Sequence, residues 1–186
     1  SDVCSSDLVA EAVERGLTRR EKEGQDISMM GPVCTIMEGR LDDWLKLIAD
    51  QKKLDIDRTA LDWAGVAVFK KSYQLYKERG YRTRLLAAAF RNTLHWSELI
   101  GGDVVISPPC EWAKRFNATD INVEPRIETP VDDTIMAVLN SFEDFRRANT
   151  DRGMSHAEFD TFGPTRRTLR QFVVACHDLD AQIQIG

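Results

Sequence analysis

"TRLLAAAFRNTLHWSELIGGDVVIS", residues 83–107, decides the fold. It opens on an apolar run of strand length that ends at Phe90. Arg91 and Asn92 follow, and Asn92 can cap the helix that the spacing predicts over "TLHWSELI". Gly101-Gly102 stops that helix, "DVVIS" (103–107) is a second strand-length run, and Pro108-Pro109 ends it. The order is strand, helix, strand. Neither run alternates apolar with polar, which is how parallel strands covered on both faces read.

The same alternation extends upstream. Helix signals run from about Thr59 to Arg79: Thr59 with Asp62 resembles a capping box, and Lys77, Arg79 and Gly80 form a stop. Before it, Leu41, Trp44, Leu45 and Ile48 mark one helical face, and Val33–Met37 has the length of a buried strand after the turn pair Gly31-Pro32. Val9, Ala12, Val13 and Leu17 recur at near-helical spacing, and "RREKEG" (19–24) reads as a solvated helix end. Downstream, a helix through Trp112 and Phe116 is followed by a loop from Asn117 to Pro130. Helices are then predicted over 132–148, near 155–162 with a Ser155/Glu158 capping box, and over 166–183. The expected fold class is α/β. A complete (β/α)8 barrel needs eight strands and about 250 residues. Three strands therefore predict a partial (β/α)8 barrel, about the last three βα units, plus C-terminal helices.

The 186 residues are 42% hydrophobic and 30% charged, a globular balance, with a net charge of -5. That balance disfavours non-specific binding to nucleic acid or to an anionic membrane face, and no apolar run reaches transmembrane length. Cys4, Cys34, Cys110 and Cys176 are scattered with no CxxC pair, so a reduced, cytoplasmic chain is the simplest reading. The first eight residues, "SDVCSSDL", lack the basic and apolar regions of a signal peptide. They match, residue for residue, an in-frame translation of the end of a common sequencing-library adapter. The expectation is an adapter-derived artefact at 1–8, not a domain and left out of the fold reasoning, and the C-terminal part of a single barrel domain over 9–186.

Arginines stand where strands end and helices begin, the place where βα barrels keep their chemistry: Arg40 in "TIMEGR" and Arg91 in "AAAFRN". A guanidinium offers a planar fork of donors and suits phosphate. The Asn92 helix would turn backbone N–H groups the same way. Two such arginines could clamp one phosphate; alternatively each pairs with a surface carboxylate.

"TIMEGRLDDW" (35–44) resembles the transaldolase pattern of a Ser, an aromatic and Gly-Arg followed by Asp-Trp. "AGVAVFKKSYQLYKERGYRTRLLAAAFRNTLHWSELIGGDVVISPP" (64–109) is similar to the next stretch of that family: a helix ending in Tyr-Lys-X-X-Gly-Tyr, an apolar strand, Phe-Arg-Asn, a helix and a further strand. The resemblance implies a (β/α)8 barrel that moves a dihydroxyacetone unit from a ketose phosphate, such as sedoheptulose 7-phosphate, to glyceraldehyde 3-phosphate. It implies a Schiff-base lysine and neither metal nor organic cofactor. By position, Arg40 and Arg91 match phosphate-binding arginines, and Thr35 matches a substrate-contacting Ser that is the one catalytic candidate here. Ala89 stands where the family often has a phosphate-contacting Ser, and Met37 replaces the usual aromatic. The family's lysine and acidic residues belong upstream of "GR", so the resemblance implies that this chain alone lacks turnover. A non-catalytic sugar-phosphate binder or regulator on the same barrel is the alternative, and an unrelated helical interaction domain a third reading.

Other reactive residues have ordinary readings. Lys46, Lys52, Lys53, Lys70 and Lys71 are expected to be solvated, and Cys34 and Cys110 to be packed. His95, His156 and His177 are expected to be surface or satisfied histidines. Trp63, Tyr73 and Tyr76 are expected in helix contacts.

Overall fold

The structure is a computed structural model and describes residues 2–185. It is an α/β fold of three strands and nine α-helices among those residues. β1 (Val33–Met37), β2 (Arg84–Ala88) and β3 (Val104–Ile106) form one sheet in the order β1-β2-β3. Both pairings are parallel, with Thr35 opposite Leu86 and Leu86 opposite Val105. The three expected strands are all present, and their parallel direction follows from the helices that connect them.

The sheet is covered on one face. Cys34, Ile36, Leu85 and Ala87 point into the core, while Val33, Thr35 and Arg84 are exposed. This corrects the expectation of cover on both faces: the small residues of "LLAAA" hide an alternation that burial makes plain.

The core lies between that face and the helices α1 (Val3–Lys22), α2 (Glu38–Gln51) and α3 (Ala64–Arg79). Leu41, Leu45, Ala49, Leu61, Val68 and Phe69 fill it, with Tyr76 buried and Trp63 and Tyr73 packed on its rim. α3 stops at Gly80, whose φ of 63° is the left-handed geometry glycine adopts freely. The expected capping box at Thr59 is absent. Asp57 accepts from the Thr59 N–H instead, at 2.9 Å, and the first turn is 3-10 helix over Arg58–Trp63.

Asp2 and residues 3–8 form the start of α1, which packs on β1 and α3. The Asp2 carboxylate caps α1 by accepting from the Ser5 N–H at 2.7 Å, and Val3 is fully buried. Tyr76 donates its hydroxyl to the Ser6 carbonyl at 2.7 Å, Tyr81 donates to Asp7 at 2.8 Å, and Arg79 pairs with Asp7.

The remaining helices are α4 (Leu94–Ser97), α5 (Cys110–Asn117), α6 (Asp133–Asn140), α7 (Glu143–Asn149), α8 (His156–Phe159) and α9 (Gly163–Ile185). α4 is a single turn where a longer helix is predicted. The helix expected over 132–148 breaks at Phe142, which adopts extended backbone to sink its ring into the core. The Ser155/Glu158 capping box is present at α8. No described helix is long and apolar enough to cross a membrane.

Candidate functional site

The site grows from the way β1 and β2 end side by side. Gly39 follows β1 in the first turn of α2, and a Cβ there would stand 2.2 Å from the Ala89 carbonyl oxygen and 2.5 Å from Arg91 Cγ. Only glycine permits that approach. It brings the turn carrying Arg40 against the stem of Arg91, while the two guanidinium groups take different partners, Gln171 for Arg40 and Asp43 for Arg91. Thr35 sits lower, exposed on the open face of the sheet opposite Leu86.

Ala89 has a φ of 62°, in the left-handed region. A residue with a Cβ pays for that conformation with about 1–2 kcal/mol, and such strain gathers at functional turns. It turns the Ala89 carbonyl toward the Arg91 side chain, which donates to Ala89 O at 3.2 Å and to Phe90 O at 3.0 Å from one terminal nitrogen. Arg91 Nε lies 3.0 Å from Asp43 Oδ2, and the second terminal nitrogen lies 2.9 Å from the same oxygen. Of five guanidinium N–H groups, four are engaged. Arg91 thus takes the carboxylate-paired form that the sequence left open, with its stem and fork held in place.

Arg40 is held differently. It donates one terminal N–H to Gln171 on α9, and its guanidinium carbon lies 6.0 Å from the centre of the Phe172 ring. Its Nε is buried and finds no acceptor among the described residues. A buried donor left unmade costs about 1–3 kcal/mol. Met37 shares a small cavity with Phe172, so α9 delivers an aromatic ring to the place where position 37 lacks one.

Beneath the arginines lies a buried polar network. His95 and Asp42 are completely buried, with His95 Nε2 2.8 Å from Asp42 Oδ2. Asp42 Oδ1 accepts the Gly65 N–H at 2.8 Å, and His95 Nδ1 accepts the Arg91 N–H at 3.1 Å. Asn92 Oδ1 accepts the Leu94 N–H at 2.9 Å, from one residue ahead of Thr93, which is the N-cap of α4 in place of the expected Asn92. Burial raises the Asp42 carboxyl above its usual range, against the lowering by His95 and Gly65. Glu38, one turn earlier, is buried completely, and neither of its oxygens has a partner among the described residues. Burial first and the Asp42 charge second push its carboxyl well above the ordinary range.

Two expectations need correction. Lys70 is buried, not solvated: its ammonium donates to Glu98 at 2.7 Å, to Arg126 O at 2.9 Å and to Thr129 O at 2.8 Å. All three of its N–H bonds are engaged. Cys110 is exposed at the start of α5, whereas Cys34 is packed in the core and burial raises its thiol. His95 is a satisfied histidine, as its reading had it. The sequence reading missed Asp42, Asp43, Gln171 and Phe172. The paired acids in "LDDW" were the available signal for the first two.

The family model described as Transaldolase/Fructose-6-phosphate aldolase matches residues 33–179. Transaldolase A of Pasteurella multocida (strain Pm70) is 37% identical over 71 residues, covering 38% of this chain and 21% of that protein. Over stretches of the same length and coverage, transaldolase of Buchnera aphidicola subsp. Baizongia pistaciae (strain Bp) is 42% identical. That of Yersinia pseudotuberculosis serotype O:3 (strain YPIII) is 37% identical. The aligned stretch thus spans about a fifth of each of these relatives. The family match embraces all three strands, both arginines and most of α9, and the chain belongs to the transaldolase/fructose-6-phosphate aldolase family.

Proposed function

We propose that this chain carries the phosphate-holding side of a transaldolase-type site. In the whole protein, that site transfers a dihydroxyacetone unit from a ketose phosphate, such as sedoheptulose 7-phosphate, to glyceraldehyde 3-phosphate. The three βα units are part of a (β/α)8 barrel in this reading. The observation that carries it is the buried Nε–H of Arg40, without an acceptor among the described residues, on a turn that closes against the stem of Arg91 at neighbouring ends of parallel strands. A phosphate there would accept from both guanidinium groups, and holding it fixes the far end of the sugar so that the carbonyl meets its nucleophile in one orientation.

The covalent chemistry belongs to a lysine that attacks the ketose carbonyl and forms a Schiff base, whose iminium takes up the electrons of carbon–carbon cleavage. None of the three described strands carries a lysine. Lys70, with every N–H bond engaged by an acceptor in the protein, does not fit the role. The reactive lysine and the proton-transfer carboxylates would come from other strands of the barrel.

Titration of the chain with inorganic phosphate and with fructose 6-phosphate, followed by amide NMR, tests the reading. Saturable shifts at residues 39–40 and 91–92, weakened about tenfold in Arg40→Gln and in Arg91→Gln, are expected for loss of one charged contact. Equal affinity in both variants and the unaltered chain would overturn it. Borohydride with fructose 6-phosphate is expected to leave no stable adduct on this chain.

A further inference from the structure

We infer that the buried pair Asp42–His95 is the positioning device for the Arg91 anion fork: it sets the imidazole tautomer that holds the Arg91 backbone in its binding position. The inference rests on the phosphate reading of Arg91 and deepens it.

The donor pattern decides the tautomer. A backbone N–H can only donate, so the Arg91 N–H at 3.1 Å requires a bare lone pair on His95 Nδ1. The ring proton then sits on Nε2 and is donated to Asp42 Oδ2 at 2.8 Å. Asp42 is itself fixed by the Gly65 N–H at the start of α3, and Asn92 Nδ2 donates to the Asp62 carbonyl at 3.2 Å. A chain of hydrogen bonds therefore runs from α3 through α2 to the turn after β2. All of it is dry at His95 and Asp42, where side-chain exposure is 0%. Low dielectric strengthens such a chain and makes a wrong donor costly.

Arg91 needs this brace because the turn before it is strained. Ala89 sits at a φ of 62°, and nothing in its own side chain favours that. α4 is a single turn and cannot steady the loop by itself. The bond to His95 fixes the backbone on the C-terminal side of Phe90, while Gly39 closes on Ala89 from the other strand. His95 faces Asp42, Asn92 and the Phe90 ring, whose centre is 6.3 Å away, and makes no contact with solvent. It acts through Arg91 and touches no ligand.

Two substitutions separate a positioning role from a merely structural one. His95→Gln can still reach and donate to Asp42 but withdraws the acceptor from the Arg91 N–H. His95→Asn keeps an acceptor near Arg91 and leaves Asp42 short of a donor. Binding of inorganic phosphate to the full chain is read by amide NMR, and stability by thermal unfolding. His95→Gln is expected to weaken phosphate about tenfold, as Arg91→Gln does. His95→Asn is expected to bind nearly as well as the unaltered chain while being the less stable of the two. Affinity that follows stability across the pair, or His95→Gln binding like the unaltered chain while Arg91→Gln binds weakly, overturns the inference and leaves the phosphate site standing. No phosphate binding by the unaltered chain, or equal binding by Arg91→Gln, overturns the site itself. Imidazole nitrogen shifts add a direct signature: Nδ1 of His95 is expected to be unprotonated, and Asp42→Asn to move the proton onto it. A proton found on Nδ1 of the unaltered chain refutes the tautomer.

Discussion

Replacing Glu38 should stabilise the protein. Its carboxyl is fully buried, both oxygens lack partners among the described residues, and the Asp42 charge stands one turn away. A buried polar group without a partner costs about 1–3 kcal/mol. Leucine has a similar volume and adds apolar contact with the surrounding core. Glu38→Leu should therefore gain about 2 kcal/mol, and, at 2–4 °C for each kcal/mol in a chain of this size, raise Tm by about 4–8 °C. Glu38→Gln separates charge from polarity. The folded carboxyl titrates above its unfolded value, so between the two the folded state holds a proton that the unfolded state has lost. Stability of the unaltered chain then falls as pH rises from about 4.3 toward the folded value, and is flat above it. Glutamine abolishes that contribution, so the Glu38→Gln advantage should be small near pH 4 and grow toward about pH 8. Thermal unfolding by circular dichroism at the two pH values measures this. A lower Tm for Glu38→Leu, or a Glu38→Gln gap that does not change with pH, would refute the account of an unpartnered buried acid.

Two further outcomes follow from the same geometry. Gly39→Ala forces its Cβ into the Ala89 carbonyl and the Arg91 stem, so it should cost about 1–3 kcal/mol and weaken phosphate binding in the same titration. Lys70→Met leaves Glu98 and two carbonyls without their donor; loss of about 3 kcal/mol, with faster hydrogen exchange confined at first to residues 118–131, is the expected result.

The strands were legible because short apolar runs bounded by Gly-Pro, Arg-Asn and Pro-Pro have few other readings. The site arginines were legible because both lie at strand ends, although Arg91's pairing with Asp43 could be resolved only in three dimensions. Lys70 was not legible: a lysine on a helix reads as solvated, and its three acceptors lie 28, 56 and 59 residues away. The break at Phe142 carries no glycine or proline; burial of one ring overrides a continuous helical pattern. Asp2, with serines after it, offered a cap signal that the absence of an apolar stripe concealed. His95 could be read as satisfied, yet no spacing reveals that Asp42 is its partner, 53 positions earlier.

The hydrogen-bond chain beneath Arg91 also bears on how this sequence can drift. Asp42 and His95 satisfy each other in a dry interior, so either change alone strands a polar atom of the other, whereas an apolar residue at both positions removes the buried charge and leaves the Gly65 and Arg91 N–H groups without their acceptors. The two sites should therefore mutate in concert: lineages with a hydrocarbon side chain at position 42 should have abandoned imidazole at 95. Inheritance of one without the other would mark an evolutionary intermediate carrying a fitness deficit in stability.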